Sequence, residues 1–321
     1  MLHPLDFYPL NVPAGTEFLG IYAVVSLAVL VATYYAREAV GRRLDEAQRV
    51  PSSPGGSYRG TSGDELTLGE IPRPEHALAL AYLYGGVQRV NDVLLTAAVA
   101  DGWLARDFTV VRAPREPGPQ QALHAAIVAL GEQPSYARVR VAAASVVAGL
   151  VPALCSTLER SGLMRTSETR RTLRNVALLG GLPLLAFAAL RIYVRASMPG
   201  DAPFPAYLLV AMIVVGVATA TLASVDTTAS TAAAYKSWLT DATHSLRGDI
   251  GTRRRDADDI SLAVAVGGTV VLMSHPEMAL FASQAQAYQA TAATTSCSTS
   301  SCGGGGGCGG GGGCGGGGGC S

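Results

Sequence analysis

Three apolar segments without a charged residue constrain most strongly how this chain can fold. The first is FLGIYAVVSLAVLVATYYA, over 18–36. A helix of this length, at about 1.5 Å per residue, spans roughly the hydrocarbon core of a bilayer. Tyr22 and Tyr34 lie towards its two ends, where aromatic side chains favour the membrane interface. Because no basic region precedes this segment, and because its apolar part is longer than that of a signal peptide, we predict a retained transmembrane helix.

Two further segments predict a helical hairpin in the membrane. NVALLGGLPLLAFAAL begins at Asn175 and predicts a span over 175–194, and APFPAYLLVAMIVVGVATATLASV predicts another over 203–225. A fourth apolar run, ISLAVAVGGTVVLM, covers only Ile260 to Met273. Runs of about 10–14 apolar residues are more typical of interfacial or re-entrant segments than of spans. We therefore predict an amphipathic or re-entrant region over 226–285, and a fourth span remains open.

The arginines predict the orientation of these spans. They follow the first span, precede the second and follow the third, as in GTRRRD at 251–256. Cytoplasmic flanks carry the excess of basic residues, so residues 1–17 are expected outside the cell. The middle of the chain and its C-terminus are then cytoplasmic, in a multi-pass protein of the cell membrane whose first partner is the lipid bilayer. Arg191 and Arg195 oppose this orientation and are outnumbered.

Between the first two spans, a polar linker over 37–74 leads to a predicted helical domain over 75–174. One helix is expected to end at Gly85–Gly86, and the next at Asp101–Gly102 before the short strand pattern WLARDFTVV. A second helical stretch ends at Ser161–Gly162 before an apolar LM, as a weaker echo of the first. Helices followed by a short strand resemble a winged-helix unit. The predicted fold is mainly α, with a winged-helix-like cytoplasmic region.

Charge and motif content argue against nucleic acid and against catalysis. Residues 75–175 contain eleven arginines and eight acidic residues, and this excess is too small for a nucleic-acid footprint. A protein partner for the domain is the favoured interpretation. The histidines lack paired metal spacing and no phosphate-binding loop is present, so we predict a protein that is not an enzyme. No carboxylate lies within the predicted spans, which argues against a proton-coupled transporter. His124 is expected in the core, and Cys155 as a free buried thiol.

The chain ends in a predicted disordered tail over 286–321 that presents five cysteines: Cys297, Cys302, Cys308, Cys314 and Cys320. The last three steps are six residues each, through blocks of five glycines, and such a composition cannot bury enough surface to fold. Disulfides are disfavoured because five is odd and the predicted cytoplasm is reducing. Three uses stay open: a substrate of a modifying enzyme, a ligand set for a soft metal such as zinc or copper, and an inert spacer.

Four stretches of the chain together resemble an uncharacterised bacterial membrane-protein family. They are GTEFLGIY at the first span, LAYLYGGVQRVNDVLLTAAVADGWL in the domain, LERSGLM before the hairpin, and the terminal CGGGGGCGGGGGC. Members share an N-terminal membrane domain and a low-complexity glycine/cysteine-rich tail. The resemblance implies an iron-dependent enzyme that modifies cysteines as a partner of Cys302 to Cys320. Cys297 departs from the glycine repeat, since it lies in CSTSSC.

Overall fold

The computed structural model describes residues 16–48, 66, 70–115, 117–197, 206–224, 227–250, 256–275 and 277–297. This part of the chain is mainly helical, as predicted. Its ten α-helices are α1 (Thr16–Gln48), α2 (Ala77–Ala100), α3 (Pro119–Val128), α4 (Tyr136–Arg160), α5 (Ser167–Ser197), α6 (Ala206–Ala223), α7 (Ser230–Ala242), α8 (His244–Asp249), α9 (Ala257–Gly267) and α10 (Ala279–Cys297). Two short 3₁₀ helices, Pro74–His76 and Thr269–Ser274, precede α2 and follow α9.

The chain forms two compact units, each built from two separate stretches of sequence. Residues 1–52 and 165–227 supply α1, α5 and α6, which we call the bundle. Residues 53–164 and 228–321 supply α2 to α4 and α7 to α10, which we call the helical domain. The predicted domain over 75–174 therefore contributes only part of the helical domain, and its last ten residues belong to the bundle.

In the bundle, α5 lies antiparallel to α1. The Tyr22 hydroxyl donates to the Leu184 carbonyl at 3.2 Å near one end, and Gly41 lies beside Leu173 near the other. At the latter end, the Arg165 guanidinium makes a paired contact with the Asp45 carboxylate at 3.1 and 3.0 Å. Polar contacts thus join the two helices near both of their ends.

Gly180 and Gly181 allow the three helices of the bundle to approach closely. A Cβ at Gly180 would collide with the Thr33 side chain of α1, and a Cβ at Gly181 would collide with Thr219 of α6. Both threonines are buried. Each donates its hydroxyl to a carbonyl of its own helix: Thr33 to Val29 and Thr219 to Val215. Contacts of this kind, between small residues, hold helices together where no hydrophobic driving force is available.

In the helical domain, α2 is the central helix and bends where the glycine pair predicted a stop. Gly85 and Gly86 leave the helical conformation, and Gly86 has φ of +61°. Beyond the bend, every residue from Val90 to Thr96 is buried, because both α9 and α4 pack on α2. The sequence pattern predicted only one apolar stripe on this helix, since the second packing partner lies far away in sequence.

The fourth apolar run occupies the core of the helical domain. All residues from Ile260 to Val266 in α9 are buried, and α9 packs along α2. Arg89 of α2 donates to the Val264 carbonyl at 3.3 Å, at the end of α9. The structure thus replaces the predicted amphipathic or re-entrant region with a buried core helix, an alternative that a short apolar run also allows.

Two turns in the helical domain repeat one local structure, as the sequence echo predicted. Gly102 and Gly162 follow α2 and α4 with φ of +68° and +67°, a conformation that suits glycine at a helix C-terminus. The next two residues are buried in both cases: Trp103 and Leu104, then Leu163 and Met164. Leu104 and Met164 each form one isolated antiparallel bridge, with Val110 and Thr228 respectively. Neither turn continues into a longer strand among the described residues.

Three helices are long and apolar enough to cross a membrane: Gly20–Ala47, Tyr136–Arg160 and Ser167–Leu190. The number agrees with the prediction of about three spans, but the membership differs. The stretch Tyr136–Arg160 was predicted in the cytoplasmic domain, and in the structure α4 packs on α2 and α3. The third predicted span corresponds to α6, whose described apolar stretch, Leu209–Ala223, is shorter.

Candidate functional site: the helix that carries the cysteine tail

The predicted functional residues begin where α10 ends. Cys297 is the last residue of α10, and its side chain is not described. Cys302, Cys308, Cys314 and Cys320 lie outside the described residues. The predicted start of the disordered tail, at residue 286, is corrected by α10, because residues 286–297 are helical. What the structure provides is the support from which the tail extends.

The first half of α10 is anchored in the core of the helical domain. Phe281, Ala282 and Ala285 are buried and share one face of the helix. Phe281 and Tyr288, two turns apart, contact the Tyr136 ring edge-on with centroid distances of 6.1 and 5.8 Å. Tyr136 begins α4, so aromatic contacts join the tail-bearing helix to α4.

A buried ion pair lies next to these aromatic rings. Arg140 of α4 donates to the Asp92 carboxylate of α2 at 2.8 Å, and each side chain is only 3% exposed. The same guanidinium donates to the Tyr136 hydroxyl at 3.0 Å and to the Gln88 side-chain oxygen at 2.7 Å. Burying two charges costs several kcal/mol each unless they are paired and hydrogen-bonded, a condition that this network meets.

Residues of α10 complete the network. Gln289 donates its side-chain amide to the second Asp92 oxygen at 2.9 Å, and Arg140 lies over the Tyr288 ring at 5.0 Å from the centroid. One oxygen of the Asp92 carboxylate therefore accepts a hydrogen bond from α4, and the other oxygen accepts one from α10. The ion pair holds three helices together, and one of them carries the tail.

Burial and charge act in opposite directions on Asp92. Burial raises the pKa of its carboxyl, while the neighbouring guanidinium groups of Arg140 and Arg89 oppose that rise. Burial also lowers the pKa of Arg89. Because Asp92 lies among two cations and a donated amide, we interpret the group as a structural carboxylate that organises its neighbours.

Sequence reasoning did not find this network. Asp92 and Arg140 are 48 residues apart, and Gln289 lies 197 residues beyond Asp92. The available signal was the single carboxylate in VNDVLL and the two arginines, Arg138 and Arg140, in RVRVAAA, where all other residues are apolar. Charged residues are almost never fully buried unless they are paired, so two such residues on apolar helices were candidates for each other.

The two other singled-out residues also have defined positions. His124, expected in the core, is partly buried and lies edge-on to the Trp103 ring at 5.6 Å. Cys155 is buried as predicted, but it is disulfide-bonded, so the prediction of a free thiol is wrong. Its partner's side chain is not among the described ones. Cys155 brings the total of cysteines to six, so an odd count no longer argues against disulfides that involve the tail.

Among the described residues, no group of three or more His, Cys, Asp or Glu side chains is placed to hold a metal ion. The tail thiols are not part of that set, and the zinc or copper alternative remains a prediction. Comparisons with protein-family models, with curated proteins and with solved structures found no match.

Proposed function

We propose that this is a multi-pass membrane protein that presents its C-terminal cysteines to a modifying enzyme. The observation that carries the proposal is the anchoring of α10, whose Gln289 and Tyr288 join the buried Asp92–Arg140 pair immediately before the tail. A tail rich in glycine and serine offers extended backbone without bulky side chains, and an enzyme with a narrow site can accept each cysteine in the same local context. The partner of this proposal is an iron-dependent enzyme that modifies peptide cysteines, as the family resemblance implies.

The proposed topology places α1, α5 and α6 in the cell membrane. Arg37 of α1 donates to the Ser224 carbonyl after α6 at 2.9 Å, and Arg165 before α5 pairs with Asp45 of α1. Arginines thus gather at one end of the bundle, and the positive-inside bias makes this end cytoplasmic. The N-terminus is then outside, and the helical domain and the tail are in the cytoplasm.

The helical domain is proposed to bind a protein and no nucleic acid. Its 14 lysines and arginines are outnumbered by 16 acidic residues, which supports this assignment, and Arg140, one of those cations, is already paired within the domain. The winged-helix likeness rests on the two glycine turns alone, each of which leads into a single bridge. No enzymatic role is proposed for any residue of the chain.

Mass analysis of the native tail distinguishes the proposed uses. The protein is purified from native membranes, denatured and reduced, and the tail is released and weighed. Stable mass shifts at Cys302 to Cys320 are expected if the cysteines are enzyme substrates. Unshifted thiols that bind zinc or copper(I) stoichiometrically would support the metal alternative. If the thiols are unshifted and bind no metal, and if a variant without the tail behaves like the wild type, the tail is an inert spacer.

A membrane-impermeant thiol reagent tests the orientation. We expect no labelling of the tail in intact cells and full labelling after lysis under reducing conditions. Labelling in intact cells would place the tail outside and contradict the proposed topology. A matched control is a variant with one cysteine introduced into residues 1–15 and serine at the five tail positions, which should react in intact cells.

A further inference from the structure

The helical domain carries a shallow groove that the proposed function does not use. It has a volume of about 360 Å³ and lies between the turn after α2 and the end of α3. Its floor is apolar, because Phe108 and Ile127 are buried, while Val128 on its wall is 54% exposed. The lining residues are Phe108, Thr109, Val110, Ile127, Val128, Gly131, Glu132 and Gln133.

One wall of the groove is a short hairpin with a free backbone edge. Val111 N–H donates to the Trp103 carbonyl at 2.9 Å, and Ala105 N–H donates to the Thr109 carbonyl at 2.9 Å. This register makes Leu104 and Val110 a non-hydrogen-bonded pair, so the N–H and C=O of Val110 point away from Leu104. No backbone hydrogen bond among the described residues uses either group. Val110 is partly buried, and backbone groups left unpaired at such an edge are a template for an added strand.

Two residues that line the groove have an uncommon backbone conformation. Phe108 has φ of +66° and Gln133 has φ of +52°, and these are the two non-glycine residues with positive φ among the described residues. Bulky residues in this conformation are uncommon and cluster at binding sites, where the surrounding structure enforces them. The backbone at Phe108 is held by its two neighbours: Thr109 donates its N–H and its hydroxyl to the Asp107 carboxylate at 3.1 and 2.7 Å.

Aromatic contacts connect this groove to the tail-bearing helix. The Tyr136 ring contacts Phe108 of the groove floor at 5.3 Å and Tyr288 of α10 at 5.8 Å. Cys297 follows Tyr288 by nine residues, or about 13 Å of helix. The chain beyond it, 298–321, can span at most about 80 Å when extended, so its length is ample to return to Phe108.

We propose that the glycine-rich tail, 298–321, lies in this groove as an added strand that pairs with Val110. The tail has no charged side chain, and 15 of its 24 residues are glycine while the others are Cys, Ser or Thr, so its backbone can approach the Val110 edge across the buried Phe108 and Ile127. Backbone pairing supplies the contacts, and the six-residue cysteine spacing allows one cysteine after another to take the same position. The proposal rests on the proposed function, since it names the place where the domain holds the tail between encounters with its enzyme.

Hydrogen–deuterium exchange resolved to single amides tests the proposal on the full chain in detergent. The full-length protein is compared with a variant that ends after Cys297, both with a thiol reductant so that no disulfide holds the tail. The Val110 amide is expected to exchange about tenfold more slowly in the full-length protein. The Val111 amide, bonded within the hairpin, should exchange equally in both and shows that the hairpin is intact. Equal exchange at Val110 in the two proteins would overturn the proposal.

A pair of substitutions keeps the test specific to the groove. In the full-length protein, Val128→Asp should raise Val110 exchange to the level of the truncated variant. Val270→Asp, at a 64% exposed valine outside the groove, should leave the protection unchanged. Protection that survives Val128→Asp would count against the groove as the docking site. If the native tail is unmodified while the Val110 amide is protected, the docking proposal is supported and the substrate proposal is wrong. If the cysteines are modified while the Val110 amide is unprotected, the substrate proposal is supported and the docking proposal is wrong.

Discussion

The bundle and the helical domain are both apolar, yet different contacts hold each together. In the bundle, α5 brings two glycines against Thr33 and Thr219, and large apolar side chains such as Val24, Leu27 and Leu179 remain exposed on the outside. In the helical domain, Trp103, Leu94 and Phe281 are fully buried, and a charged pair lies between α2 and α4. Among the described residues, most of the exposed large apolar side chains belong to the bundle, although Val111 and Val128 of the helical domain are exposed as well. This bias is the expected difference between a lipid and an aqueous environment.

The largest expected effect is the loss of one partner of the buried pair. Asp92→Asn leaves the Arg140 guanidinium buried without its counter-charge, and such a loss costs about 3–5 kcal/mol of the free energy of unfolding. Both tryptophans of the chain, Trp103 and Trp238, belong to the helical domain, so denaturant unfolding followed by tryptophan fluorescence reports on this unit. We expect a lower fluorescence midpoint, while the circular dichroism of the bundle is retained.

Two further variants separate charge pairing from packing at this position. The double substitution Asp92→Leu with Arg140→Met removes both charges, and most of the lost stability should return. Asp241→Asn, at an exposed carboxylate of α7, should leave the midpoint unchanged. A double variant no more stable than Asp92→Asn would show that this network is valuable for its hydrogen bonds rather than for the pairing of its charges.

Hydropathy predicted where apolar helices form, but it could not predict what would cover them. The segments predicted as spans at 18–36 and 175–194 lie within α1 and α5, and the described part of the segment at 203–225 forms α6, the third helix of the bundle. The equally apolar α9 is buried by α2 instead, and α4 combines the length of a span with a paired arginine. Transfer from water is favourable in both cases, so composition alone does not distinguish lipid from protein as the covering partner.

Local signals, by contrast, were sufficient wherever backbone geometry decides. Ser161–Gly162 predicted the end of α4, and Gly85–Gly86, predicted as a helix stop, breaks the helical conformation as a bend within α2, because glycine alone adopts positive φ without strain. The Asp92 network and the Cys155 disulfide depend on side chains brought together by the fold. No spacing within one helix contains that information, and the helix over 286–297 was hidden in the same way by its weak apolar pattern.

The next largest effect is expected in the bundle. Gly180→Leu places a side chain where Thr33 packs, and overpacking of this kind costs about 1–3 kcal/mol. The expected result is a lower thermal midpoint by circular dichroism, with an unchanged transition in tryptophan fluorescence. Gly20→Leu, where a Cβ would meet nothing within 4 Å, is the matched control and should unfold like the wild type. A fluorescence transition that shifts together with circular dichroism would show that the two units unfold as one.

A smaller effect tests whether the two glycine turns are equivalent. Gly102→Ala and Gly162→Ala each force a left-handed conformation on alanine, which costs about 1–2 kcal/mol. We expect both to lower the tryptophan-detected midpoint by similar amounts. Gly149→Ala in α4, where the backbone is helical and the added Cβ meets nothing within 4 Å, should be neutral or slightly stabilising. A loss at only one of the two turns would show that the sequence echo is not a structural repeat.

The smallest effect concerns the contact that joins α10 to the rest of the helical domain. Gln289→Ala removes the amide donated to Asp92 but leaves the bond from Arg140 to the other carboxylate oxygen. Because Gln289 is exposed, water can replace part of the lost bond, and a cost of about 1 kcal/mol is expected. Such a loss should leave the global midpoint nearly unchanged while amide exchange rises over 286–297, since opening of α10 alone requires less free energy than global unfolding. Gln286→Ala, one turn earlier on the same helix, should not change this exchange. Equal exchange in both variants would mean that the aromatic contacts of Tyr288 hold the base of the tail without Gln289, and the ion pair would then serve the core of the helical domain alone.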